Sequence, residues 1–235
     1  MRWMVLALAA LALAGCETTQ EKSARLERAA LGNKSSGPLS SKGLSIAHPS
    51  TSIKVQSAVA VHDSEGAAIV VTLRNNGAKA QKEVPLLVRA GSYSNNAQGL
   101  SPSLVRAALV PAHGQTVWID DQIQPSEATG AVTATAGEGA PAPAAPPQIV
   151  LGAHRLETEP GGGTVVHGTV TNRSSVSQQE LVVYVVASRG GKVSAAGRAV
   201  LTSLAAGASS PFEVFLIGRP AGTTLELAAP PTTFG

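Results

Sequence analysis

The chain has 235 residues, of which 18 are basic and 15 acidic, with 14 % charged and 3 % aromatic. Charges form no runs and few rings are available to stack on bases, which excludes the electrostatic footprint of a nucleic-acid binder. A single cysteine excludes an internal disulfide and a cysteine-based metal cluster, so any folded part rests on its apolar core.

Met1 and Arg2 precede an apolar run from Trp3 to Gly15, and Cys16 follows it. Those 13 residues are too few for a membrane-crossing helix, which needs roughly 20, so the layout reads as a secretory signal peptide over residues 1–15. The junction Leu13-Ala14-Gly15-Cys16 resembles the lipobox of bacterial lipoproteins. That resemblance implies cleavage before Cys16, a diacylglycerol on its thiol, and a location in the cell envelope on the extracytoplasmic side of a bacterial membrane. Two acyl chains hold far more firmly than one, so the lipid serves as the membrane anchor. Loss of Arg2 leaves 17 basic against 15 acidic residues in the mature chain, a net charge of +2.

Residues 16–52 follow as a flexible, lipidated stalk. Glu17 to Leu31 carries only Leu26 and Leu31 as large apolar residues, and Gly32 to Ser52 is rich in Ser, Gly and Lys. Residues 53–135 predict a first β-sandwich, with strands near 53–61, 67–74, 82–90, 103–110, 115–120 and 129–135. Period-2 alternation supports them: Ile69, Val71 and Leu73 fall on one face, Val70, Thr72 and Arg74 on the other. Residues 136–148 have the Pro/Ala bias of an extended spacer. Residues 149–235 predict a second sandwich, with strands near 149–157, 164–171, 179–188, 194–203, 210–217 and 222–229. Gly161-Gly162-Gly163 is placed as a hairpin connection between the first two of these.

The two halves read as copies of one another. A shift of 97 sets Gln81–Ala90 on Gln178–Ala187, Thr72 on Thr169 and Asn75 on Asn172. A shift of 93 then matches Ala112-His113-Gly114-Gln115-Thr116 to Ala205-Ala206-Gly207-Ala208-Ser209, which implies a four-residue deletion in between. The carrying residues Gly168-Thr169-Val170-Thr171-Asn172, Leu181 to Val186, and Gly207-Ala208-Ser209-Ser210-Pro211-Phe212 resemble bacterial extracytoplasmic immunoglobulin-like domains of the CARDB and FxLYD kind. The resemblance implies an all-β fold of two tandem immunoglobulin-like sandwiches, acting as a binding or spacing module. The first copy departs from the pattern at Leu87, where the aromatic is missing, and places Trp118 near the Phe212 position.

No residue set amounts to an active site. His48, His62, His113, His154 and His167 show no metal-ligand spacing. His62-Asp63-Ser64 holds the residue types of a hydrolase triad, but neighbours on a strand point to opposite sides and cannot form a relay. Asp120-Asp121 reads as a solvated loop end, since a calcium site needs some six to eight oxygens. No enzyme activity, metal or cofactor is expected. The remaining signal is a surface. By alternation Val84, Leu86 and Val88 face inward, while Pro85, Leu87 and Arg89 face outward. Transferred to the second copy, Leu181, Val183 and Val185 become core, while Val182, Tyr184 and Val186 form an outer face without charge. Phe215 joins this outward set and His167 is expected to share the surface. Such a face predicts an interface, covered by the first domain, by the N-terminal segment, by loops or by an envelope protein partner. The alternative is a lipoprotein that binds a cell-wall glycan or small solute.

Overall fold

The computed structural model describes residues 45–91, 103–123, 130–160 and 162–235, together with Ser23 and Arg25. The signal, the lipobox and Cys16 lie outside the described residues. The fold is nearly all antiparallel β. In chain order the strands are β1 (Ile53–His62), β2 (Ala67–Asn75), β3 (Gln81–Ala90), β4 (Ser103–Val110), β5 (Gln115–Ile123), β6 (Val132–Ala136) and β7 (Ala140–Pro141). There follow β8 (Ile149–Thr158), β9 (Thr164–Asn172), β10 (Gln178–Arg189), β11 (Lys192–Leu204), β12 (Ser209–Gly218) and β13 (Thr224–Ala228). All twelve strands expected from alternation are present, and β7 is the addition.

Each half builds the same two sheets on a three-strand plan, with β7 added beside β3 in the first half. In the first they run β1-β2-β5 and β4-β3-β6; in the second, β8-β9-β12 and β11-β10-β13. The halves of the second copy join into one six-stranded sheet through two residue pairs, Ala195–Gly218 and Ala196–Ile217. Val166, Val170, Leu181, Val183, Val185, Phe212, Val214 and Leu216 fill the core between them. Gly168 is required there: a Cβ on it would stand 2.4 Å from the Phe212 ring. Its counterpart in the first copy is Val71, which pairs with Trp118 as Gly168 pairs with Phe212.

Register corrects the expected repeat alignment. Arg74 pairs with Gln115 and Thr171 pairs with Ser209, so a shift of 97 on β2 goes with a shift of 94 on β5. The deletion is therefore three residues, not four, and lies between Ala90 and Ser103. The residue equivalent to Gly207 (φ 71°) is His113 (φ 51°), rather than Gly114. Aligning by glycine misled because a histidine holds the left-handed position in the first copy. Glu83 and Glu180 repeat a second unusual feature, with φ of 51° and 50° at the third residue of β3 and of β10.

Buried amides explain the recurring Asn and Gln. Asn75 donates to the carbonyls of Lys79 (2.8 Å) and Val110 (3.4 Å), and accepts from the Gly77 N–H (2.8 Å). Asn172 donates to Val176 (2.9 Å) and Leu204 (3.2 Å), and accepts from the Ser174 N–H (3.0 Å). Each ties the turn after one strand to the end of another, and leaving such a group unpaired costs about 1–3 kcal/mol. Gln81 and Gln178 each clamp the segment that follows the copy's last long strand. Gln81 bonds Glu138 and the Gly139 N–H, both at 2.9 Å, and Gln178 bonds Thr232 N–H (2.9 Å) and Thr233 N–H (3.1 Å).

The first half of the expected spacer is accordingly pinned. Gly137 donates to Pro85, β7 pairs with Gln81 and Lys82, and Ala142 donates to Ala80. The end of the expected stalk is also built in. Pro49 bridges Gly137, and the buried Ser50 bonds Glu138 (2.7 Å) and the Ile53 N–H (3.0 Å).

Candidate functional site

Strand β10 is buried on both faces, which is unusual for a strand in a three-stranded sheet and marks where the copies meet. Leu181, Val183 and Val185 enter the second core. On the opposite face Tyr184 and Val186 are 6 % and 4 % exposed. They belong, with Ala196 and Ile217, to the apolar cluster of the first copy, and Val182 packs against it. Cross-strand pairing assembles this face from Val182 opposite Val200, Tyr184 opposite Arg198, and Val186 opposite Ala196.

The first copy meets it with the outer face of β1-β2-β5. Val71 pairs with the core-facing Trp118, so its neighbours Val70 and Ile119, paired with each other, face outward. Both are fully buried, as is Ala68, and Val59 and Val61 of β1 pair with Val70 and Ala68. A side of the sheet that would face water in an isolated domain is thus closed over by the second copy.

A polar cluster rims this apolar joint. Asp121 follows the alternation of Ile119 outward and is 0 % exposed. Its Oδ2 accepts from the Arg198 backbone N–H (3.0 Å), and its Oδ1 from Arg198 Nε (3.3 Å) and Gln122 Nε2 (3.1 Å). Arg198 Nη2 also lies 3.6 Å from Asp120 Oδ1. Burial pushes the Asp120 carboxyl above its ordinary value of 3.8, against the opposing pull of Arg198. At the other end Asp63 Oδ2 accepts the Gly218 N–H at 2.7 Å. A third tie crosses at Lys82, whose Nζ stands 5.1 Å from the centre of the Phe234 ring.

These positions correct several expectations. Asp120-Asp121 is no solvated loop end but part of β5, and its partner Arg198 is the only charge in the centre of β11. That lone arginine in an apolar strand was the available signal. Asp63 is occupied in its own turn, accepting from Glu65 N–H (2.8 Å) and Gly66 N–H (3.1 Å), as well as in the joint. Leu87, expected outward, is buried on the central strand between its pairing partners Leu104 and Thr135. Phe215 does alternate away from the core residues Val214 and Leu216, and it is buried beside Arg198 and Ser23. His167 does not share the Tyr184 surface. It lies on β9 in the other sheet, with Nε2 3.2 Å from Glu157 and Nδ1 3.4 Å from Glu213. Arg155 bonds Glu157 in the same group and holds its carboxyl below the usual range.

Among the described residues no group of three or more His, Cys, Asp or Glu side chains is placed to hold a metal ion. No protein-family model matches the chain, and no curated protein matches it.

Proposed function

We propose that this chain is a lipid-anchored protein of the bacterial cell envelope, on the extracytoplasmic side, that works as a non-enzymatic protein-binding or spacing module. The observation that carries this reading is Cys16, the sole cysteine, set directly after Leu13-Ala14-Gly15 and a short apolar run. The folded part supports it. Two copies of one sandwich plan lie side by side with a shared apolar joint and buried polar ties, which suits a body that holds a fixed shape rather than one that closes on a substrate. The immunoglobulin-like character of the copies, of the CARDB and FxLYD kind, belongs to the same proposal, as does a protein partner in the envelope.

Metabolic labelling with a fatty acid tests it. The wild-type chain takes up label and fractionates with membranes, while Cys16→Ser takes up none and leaves the membrane fraction or stays as the uncut precursor. Label that persists on Cys16→Ser overturns the reading, because no other cysteine is present to carry it.

A further inference from the structure

Strands β11 and β12 pair only at Ala195–Gly218 and Ala196–Ile217, and beyond that point they part, each becoming the edge of its own sheet. The gap is a cleft of ≈ 280 Å³ with Ala199, Val200 and Leu201 on one side and Pro211, Phe212 and Phe215 on the other. Ser23 lies in its lining, although it precedes Ala199, the first of these residues, by 176 positions. It is helical and only 5 % exposed. Its hydroxyl donates to Asp121 Oδ2 at 3.0 Å and accepts from Gln122 Nε2 at 3.3 Å.

This contact completes a buried carboxylate. Each Asp121 oxygen receives two donors, and Ser23 supplies one of the four. A hydroxyl bonded to a fully buried charge is among the stronger neutral donors available to it. The chain has no other hydroxyl residue between Thr19 and Ser35, so the docking point is specific in sequence as well.

We propose that Ser23 docks the N-terminal segment of the same chain at the mouth of this cleft, beside the joint between the copies. The consequence rests on the lipid-anchor reading and changes what the anchor does. Ser23 is seven residues from Cys16, a span of at most about 25 Å when fully extended. A free stalk running from Cys16 to Ile53 would reach on the order of 130 Å. Docking therefore holds the folded body within that shorter reach of the membrane rather than at the end of the full stalk.

Limited trypsinolysis of the lipidated full chain in detergent tests the docking. Cleavage after Lys22 and Arg25 should be about tenfold slower than after Lys34 and Lys42, the size of one charge-assisted hydrogen bond. Ser23→Asp sets a like charge against Asp121 and should remove that protection without altering cleavage after Lys34 and Lys42. Ser23→Thr keeps the donor and should keep the protection. Equal rates at all four sites in the wild type, or protection that survives Ser23→Asp, overturns the proposal. The readout does not involve the lipid, so its failure leaves the anchoring reading to the labelling experiment.

Discussion

Replacing Val186 with Ala removes two carbon atoms from a side chain that is 4 % exposed and lies in the cluster shared by both copies. At about 0.8 kcal/mol for each buried carbon the transfer loss is about 1.6 kcal/mol. The cavity left behind raises the expected cost to about 2 kcal/mol. Val185→Ala deletes the same atoms from the opposite face of the same strand, in the second core, and should cost the same. In a fold of this size each kcal/mol lowers Tm by about 2–4 °C, so both variants should melt about 4–8 °C below the wild type. Urea titration followed by circular dichroism gives the free energies. If Val186→Ala stays within about 0.5 kcal/mol of the wild type while Val185→Ala shows its full cost, the outer face of β10 is open to solvent. The joint described above would then be wrong.

Glu83→Gly and Glu180→Gly should each stabilise the chain by about 1 kcal/mol, because both glutamates hold a left-handed backbone that glycine adopts without strain; a lower urea midpoint in either variant would refute this. Asp120 binds its proton more tightly folded than unfolded, because burial raises its pKa. It therefore contributes stability that is present below its ordinary value of 3.8 and is lost as pH rises through the raised one. Asp120→Asn should flatten that part of the stability profile, and urea midpoints measured from about pH 3 to pH 7 give the slope.

Much of the strand plan was legible because alternation is a local signal. Ile69, Val71 and Leu73 declare their face without reference to any other strand, and the repeat shows which segments are equivalent. The joint was half legible. The absence of charge on Val182, Tyr184 and Val186 predicted a covered face, but nothing in β10 names the surface that covers it. Asp121 was misread for the same reason. Next to Asp120 it resembles a solvated pair, and only pairing across the joint shows that it belongs to Arg198, 77 residues later. The pinned spacer was missed because its ties are backbone bonds from Gly137 and Ala142 and side-chain bonds to the distant Ser50 and Gln81, which leave no mark in local composition. His167 was misplaced because its strand was taken as the neighbour of β10, whereas β9 pairs with β8 and β12.

Setting the copies on one another by their observed register gives a reason for His167. The joint uses different sheets of the two copies: the β1-β2-β5 face of the first and the β10-β11 face of the second. Such a head-to-tail contact is not closed, since each copy still carries the face that the other has used. The position of Val70 in the first copy is held by His167 in the second, and that of Ile119 by Glu213, each pair being cross-strand partners in its own sheet. Val61, paired to Ala68 beside them, has Glu157 as its counterpart. Three apolar positions that are buried in the joint have therefore become His167, Glu213 and Glu157, which lie together in one charged group. The reciprocal change appears on the other sheet, where Pro85 and Arg89 of the first copy stand in place of Val182 and Val186. Charge thus occupies positions on each copy's other face that are apolar in the joint, whose own buried charges, Asp121 and Arg198, are paired with each other. The divergence between the copies is in this sense a record of their packing. It places His167 on the outer end of the pair rather than in the joint.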